Sequence, residues 1–228
     1  MLVELFFPKR CDGCGVLGPS PCAGCIDQLV PLASFSVRGV ETCVALVDYD
    51  SLSRRFVAGF KYRGNRSSLD WFVSALADRL LWEGIDADLV TWAPALPASR
   101  RRRGFDPGER LANALARRTD LRCRGLLERQ AGRAQTGEGR RQRLDGPTLR
   151  LRRRAGDAGL AGTRVLLVDD VVTTGATVSA AAEAIGAAGA IVVSAVAIAH
   201  PRDPTLVTRS GERVIQAQRQ VSHSGSSP

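Results

Sequence analysis

Val165-Leu166-Leu167-Val168-Asp169-Asp170-Val171-Val172-Thr173-Thr174-Gly175-Ala176-Thr177 is the stretch on which the reading of this chain turns. Its first four residues are apolar without a break, as expected of a strand covered on both faces of a parallel sheet. Two adjacent carboxylates follow where that strand ends, at the edge of an open α/β sheet where ligands bind. The hydroxyl- and glycine-rich residues 173–177 then run straight into a stretch with helical apolar spacing. Such a loop presents backbone N–H groups and hydroxyls to an anion, and the helix N-terminus adds the positive end of its dipole. The acids cannot hold that anion themselves. They suit sugar hydroxyls, with a divalent cation completing the charge balance. A plainer reading makes Asp169 and Asp170 turn formers and Thr177 an N-cap. Two acids ending a buried strand ahead of Thr-Thr-Gly-x-Thr is much the rarer arrangement.

Outward from this stretch, strands are expected over residues 41–48, 88–93, 164–168 and 191–199, and helices over 52–61, 68–82, 107–118 and 177–188. Strand, loop and helix recur, so the chain reads as an α/β domain with a parallel sheet flanked by helices. The arginines at 100–103 are expected in a loop ending at Asp106, followed by a helix with Pro107 in its first turn. Residues 129–154 hold nine arginines and few large apolar groups, which points to a mobile or ligand-ordered segment. The division expected is a cysteine module at 1–35, the α/β domain at 36–202 and a fraying polar tail at 203–228.

A chain of 228 residues with 44% hydrophobic content can bury a real core in one such domain plus a small appendage. No run approaches the roughly 20 apolar residues of a membrane span. The stretch Met1-Leu2-Val3-Glu4-Leu5-Phe6-Phe7-Pro8 has an acid inside a short apolar run and no basic region before it, unlike a secretory signal. The expected compartment is therefore the cytoplasm. The net charge is +9, and Lys9 and Lys61 are the only lysines. The guanidinium fork suits phosphate and pyrophosphate oxygens; a coding bias with solvated arginines explains the composition equally well.

Cys11-x-x-Cys14 and Cys22-x-x-Cys25 offer thiolates from two tight turns, with Gly13 and Gly24 where tolerant backbone is expected. Without a signal peptide this favours metal over disulfides, and structural Zn²⁺ first. A redox pair, an iron–sulfur site and a nucleic-acid knuckle flanked by Lys9 and Arg10 stay open. His200, at a strand end, and His223, in the tail, read as bland.

The thirteen-residue stretch closely resembles the 5-phosphoribosyl-1-pyrophosphate (PRPP) signature of type I phosphoribosyltransferases. Lys61-Tyr62-Arg63-Gly64, then Arg103-Gly104-Phe105-Asp106 with Glu109, Leu111 and Ala112, then Gln135-Thr136-Gly137 with Arg140 and Arg143, follow in a fixed order. Together with the cysteine pairs, these resemble the ComF family, which is phosphoribosyltransferase-like and associated with competence and DNA uptake. The resemblance implies a type I phosphoribosyltransferase fold with a small zinc module. It implies that Asp169 and Asp170 hold the ribose and Mg²⁺ as the catalytic pair, and that Thr173, Thr174, Gly175, Ala176 and Thr177 hold the 5-phosphate. It also implies that Arg103 and Gly104 serve the pyrophosphate end, while the segment around Gln135 closes over the ligand. Lys61 with Arg63 suits the phosphates, and a helix end followed by a glycine turn explains that pair almost as well. Two departures stand out: Ala93-Pro94-Ala95-Leu96-Pro97 lacks a histidine the family often carries, and its Arg-x-x-Asn element is matched at best by Asp145.

Two functions follow. One is Mg²⁺-dependent transfer of a 5-phosphoribosyl group to a nitrogenous acceptor with release of pyrophosphate. The other is a non-catalytic PRPP- or nucleotide-sensing module that handles single-stranded DNA, with a competence helicase and a second copy of the chain as candidate partners. Aromatic residues make up 5%, a poor basis for a base-stacking platform.

Overall fold

The computed structural model describes residues 9–63, 66–129, 147–153 and 159–202. A short helix α1 (Ala23–Ile26) lies in the cysteine module and is followed by strand β1 (Thr42–Asp48) and helix α2 (Ser51–Ala58), which runs on into a π-helical turn, Gly59–Arg63. Then come α3 (Arg66–Trp82), β2 (Leu89–Trp92), α4 (Pro97–Arg103), α5 (Pro107–Thr119), β3 (Arg122–Cys123) and β4 (Leu127–Arg129). The chain continues with β5 (Leu149–Leu151), β6 (Arg164–Val168), α6 (Ala176–Gly186) and β7 (Ile191–His200). The expected strands and helices are therefore present, within a residue or two of their expected ends, except that α2 gives way to the π-helical turn three residues before its expected end.

One sheet has the order β1-β7-β6-β2-β3, with every pairing parallel. Side chains on a strand alternate between faces, and the cores divide accordingly. Val44, Leu46, Val90, Leu166, Val168, Val196 and Ile198 pack under α2, α3 and α5. Cys43, Ala45, Leu89, Val165, Leu167, Ala195 and Ala197 pack under α6 and the β4–β5 hairpin. This two-sided burial explains why the strands read as unbroken apolar runs.

The connections set the place of the site. After β2 the chain moves toward the β3 edge, whereas after β6 it crosses through α6 to β7 on the other side. The strands β2 and β6 are neighbours, so their following segments leave in opposite directions and open a crevice between them. In open α/β sheets that reversal point is where ligands bind.

Two expectations about the arginine-rich parts change. Residues 97–103 are a helix, not a loop: Pro97 sits at its first turn, alanine and arginine are good helix formers, and Gly104 ends it in the left-handed conformation at φ 77°. The described ends of the 129–154 segment contribute Arg129 to β4 and residues 149–151 to β5, an antiparallel pair. Residues 130–146 and 154–158 lie outside the description, and with them Gln135, Thr136, Gly137, Arg140, Arg143 and Asp145; Gly64 and the 203–228 tail lie outside it too.

Leu166 is fully buried on the central strand β6. Leu166→Ala should lower unfolding stability by about 2–5 kcal/mol, as read by urea denaturation, because the surrounding strands cannot collapse into the vacated space.

Candidate functional site

The fold brings Asp169 and Asp170 to the mouth of β6 beside the segment that leaves β2. Asp169 N–H donates to the Val196 carbonyl at 3.0 Å, which carries the sheet ladder one step past the strand. The Asp169 Oδ1 accepts from the Asp170 N–H at 2.8 Å, fixing the first acid against the backbone of the second. Lys61 Nζ lies 3.0 Å from Asp170 Oδ1. A cavity of about 230 Å³ opens here, and its wall includes Lys61, Arg103, Arg129, Asp169, Asp170 and Thr177.

The charge balance of this cavity is its main physical feature. Burial, and then the neighbouring Asp170 charge, push the Asp169 carboxyl from 3.8 up to about 8; the Asp170 N–H, Lys61 and Arg129 pull the other way. Burial also lowers the Arg129 guanidinium, against the attraction of Asp169 and Asp106. The Nε atoms of Arg103 and Arg129 are buried without a hydrogen-bond partner among the described residues. Two acids in a poorly solvated mouth, ringed by cations with unused donors, suit a ligand that carries both hydroxyls and anionic oxygens.

Asp106 holds the opposite wall. It is buried, accepting from the Ala95 N–H at 2.8 Å and from the Gly108 N–H at 3.0 Å, so it caps α5 and pins residues 93–97 in one step. Beyond that wall lies a cleft of about 600 Å³, and Arg100, Arg129, Arg150, Arg152 and Arg153 line it. Arg129 belongs to both spaces. Nothing in the sequence singled it out, because its strand is three residues long and its partner β5 lies some twenty residues on.

Thr173, Thr174 and Gly175 face a third space, about 490 Å³, whose other wall is residues 34–37 and His200. Gly175 has φ 76° and is the N-cap of α6, with no side chain to cap it; the Ala176 N–H donates to Thr174 Oγ1 at 3.4 Å. A Cβ there would meet Val37 Cγ1 at 2.9 Å, so glycine is required both for the turn and for the close approach of Val37. His200 is held by the Val172 carbonyl at Nδ1, 2.8 Å away, and stacks on Phe35 with ring centres 3.9 Å apart. Read as bland from sequence, it thus sits on the wall facing the loop. Gly104 and Ala176 line none of these spaces; Gly104 serves as the cap of α4.

The four sulfur atoms of Cys11, Cys14, Cys22 and Cys25 all lie within 4.8 Å of one another. Cys11 to Cys25 is 3.7 Å and Cys14 to Cys22 is 3.6 Å. A tetrahedron of ~2.3 Å metal–sulfur bonds has edges of roughly 3.8 Å, so the set fits a four-thiolate ion. All are free thiols. Burial raises Cys11, but the N–H groups of Cys22, Cys14 and Gly13 outweigh it and bring the thiol down to about 6, while burial and the neighbouring sulfurs push Cys25 up. Gly13 is needed for closeness, since a Cβ would meet Phe56 Cζ at 2.6 Å and Cys25 Sγ at 2.8 Å. Gly24 is not: it lies in α1 with open space around it.

A family model described as the phosphoribosyl transferase domain matches residues 102–225. The chain belongs to that family. Among solved structures it is similar to adenine phosphoribosyltransferase from Leishmania donovani at 13% identity, with 78% of this chain and 94% of that one covered and a TM-score of 0.43. It is similar to orotate phosphoribosyltransferase from Aeropyrum pernix at 18% identity, with 86% and 88% covered and a TM-score of 0.40. It is also similar to glutamine PRPP amidotransferase from B. subtilis at 20% identity and a TM-score of 0.41, where 62% of this chain covers 30% of that chain's length. No curated protein matches the chain. Among the described residues no helix is long and apolar enough to cross a membrane.

The raised Asp169 carboxyl has a pH consequence. Between about 4 and about 8 the folded chain keeps a proton that the unfolded chain has released, so stability falls as pH rises through that window. Asp169→Asn should flatten this decline, and urea midpoints for the two proteins across pH 4 to 9 would measure it.

Proposed function

We propose that this chain is a ComF-type, PRPP-binding phosphoribosyltransferase that transfers the 5-phosphoribosyl group to a nitrogenous acceptor and releases pyrophosphate. The observation that carries the reading is the convergence of Asp169, Asp170, Lys61, Arg103 and Arg129 on one cavity at the reversal point of the sheet. In this reading Asp169 and Asp170 accept hydrogen bonds from the ribose hydroxyls. The N–H groups opening α6, with the hydroxyls of Thr173, Thr174 and Thr177, take the 5-phosphate. Lys61, Arg103 and Arg129 bind the diphosphate, and the neighbouring arginine cleft extends the positive field along the leaving group's path.

The acceptor nitrogen forms its bond to ribose C1 as the C1–oxygen bond breaks; pyrophosphate leaves with that electron pair, and the acceptor's proton passes to solvent. The chain's part is to hold the reactants in line and to stabilise charge as it gathers on the leaving oxygens. The two carboxylates offer the hard oxygen donors that Mg²⁺ prefers, and the ion would add charge neutralisation at the pyrophosphate. The cysteine set would hold Zn²⁺ in a structural role, within a module proposed to span residues 1–35.

The second reading, a non-catalytic nucleotide-sensing or single-stranded DNA-handling protein in competence, is favoured by the cleft of Arg100, Arg129, Arg150, Arg152 and Arg153. Pyrophosphate release from PRPP with a panel of nitrogenous bases separates the two. DNA binding that weakens steeply with salt, without any turnover, would select the second.

Replacing Asp169 and Asp170 together by Asn should weaken Mg²⁺-dependent PRPP binding by at least roughly tenfold, about 1.4 kcal/mol, in calorimetry. Wild-type protein that fails to bind PRPP at millimolar concentration would remove the first reading. Metal analysis should find about one zinc per chain, and Cys14→Ser should lower both that content and the thermal midpoint, since such sites contribute on the order of 10 kcal/mol to folding. Metal-free protein of unchanged stability would count against the zinc assignment.

A further inference from the structure

Lys61 reaches Asp170 from an unusual piece of backbone. The π-helical turn Gly59–Arg63 widens the end of α2 and changes the direction in which its side chains project. Two of those side chains meet the cavity's charged groups. Lys61 Nζ pairs with Asp170 at 3.0 Å, and the Tyr62 ring lies under the Arg103 guanidinium, 5.9 Å from ring centre to Cζ. Lys61 and Arg103 both line the same cavity. The placement of these cations therefore depends on whatever holds the turn.

One carboxylate of the cysteine module bears on the turn's first residue and on the helix that follows the turn. Asp12, between Cys11 and Cys14, covers Gly59 so closely that a Cβ at that position would collide with the carboxylate. Just past the turn, Ser68 on α3 donates to Asp12 Oδ2 at 2.7 Å. Ser20, in the module, accepts from the Asp12 N–H at 2.9 Å and shares a hydrogen bond with Ser68 at 2.6 Å. Ser20 and Ser68 are buried, so this junction is shielded from water. The module beneath it is itself wedged into the sheet's core: Cys11 and Cys25 are buried in one cluster with Leu52 and Phe56 of α2.

We infer that Asp12 is a positioning residue for the anion cavity: it clamps the Gly59–Arg63 turn from the cysteine module and so sets Lys61 against Asp170 and Tyr62 against Arg103. The module is thereby a buttress of the site. Its relevance to ligand affinity rests on the PRPP reading above; its effect on Lys61 does not.

The test uses the full chain and reads Lys61 directly. Lys9 and Lys61 are the only lysines, so acylation by a small amine reagent, resolved by peptide mass spectrometry, reports each separately. Asp170→Asn sets the labelling rate of a Lys61 that has lost its partner. Asp12→Ala should bring Lys61 to that same rate, and Gly59→Ala, which displaces the carboxylate from the other side, should do likewise. Asp12→Asn, which keeps the size and can still accept from Ser68, should label more like the wild type than Asp12→Ala does. An Asp12→Ala protein that is folded by circular dichroism and labels Lys61 at the wild-type rate overturns the inference, and Gly59→Ala decides the matter if Asp12→Ala does not fold. With PRPP and Mg²⁺ as the probe, Asp12→Ala and Lys61→Met should each weaken binding on the order of tenfold, and the double variant should be no weaker than the poorer single one. Effects that multiply would show Asp12 acting independently of Lys61 and would overturn the inference. If the wild type does not bind PRPP, the functional reading fails while the labelling result still stands.

Discussion

Two carboxylates forced side by side at the dry end of a strand are the constraint around which this molecule is arranged. Asp169 and Asp170 sit where β6 leaves the sheet, and the backbone of one is tied to the side chain of the other, so they cannot separate. A pair of like charges in poor solvent is costly. The fold meets that cost by keeping a proton on Asp169 up to about pH 8 and with positive groups drawn from distant parts of the sequence: Lys61 from the turn after α2, Arg103 from α4 and Arg129 from β4. In the ligand-free state these groups partly compensate one another. A bound phosphosugar would give each a better partner, hydroxyls to the acids and anionic oxygens to the cations.

The same logic accounts for the rigidity of the surroundings. Charged groups that must meet a ligand in one geometry need supports that do not yield. Asp106 supplies one by bonding both the segment leaving β2 and the start of α5. The cysteine module supplies another through its packing against α2 and α3. Val37 supplies a third by filling the space over Gly175. Two of these three supports lie before β1, outside the span matched by the family model. The lead-in segment is thus part of the site's construction.

What was legible from sequence was whatever rests on local pattern. The apolar run ending in Asp169 and Asp170 announced strand, loop and helix, because burial on both faces leaves no room for polar residues in β6. The cysteine pairs announced a thiolate cluster, because a tight turn at Cys11–Cys14 and the start of a short helix at Cys22–Cys25 suffice to gather four sulfurs. The helix at Pro97–Arg103 was not legible: four successive arginines look like a solvated loop, yet they propagate a helix well once a proline opens it and a glycine closes it. The contributions of Arg129, Val37 and Asp12 were hidden for a different reason. Each acts through a neighbour that only tertiary structure supplies, respectively a hairpin partner, a glycine far along the chain and a turn bearing Lys61.

The edge pairing of β1 has a further consequence, one for biosynthesis. Thr42 lies opposite Ser194 and Asp48 opposite His200, so β1 takes its parallel partner from the last described strand, while residues 30–35 bond its other edge in antiparallel fashion. Pairings so distant in sequence are slow to form, because the intervening chain must be ordered before they are rewarded. While the ribosome is still adding α6 and β7, β1 has residues 30–35 to bond on one edge and lacks β7 on the other. An apolar strand left waiting in this way is open to wrong partners. The cluster of Cys11, Cys25 and Phe56 and the bonds of residues 30–35 to β1 draw only on residues made before β7, so native contacts are within reach of that nascent segment.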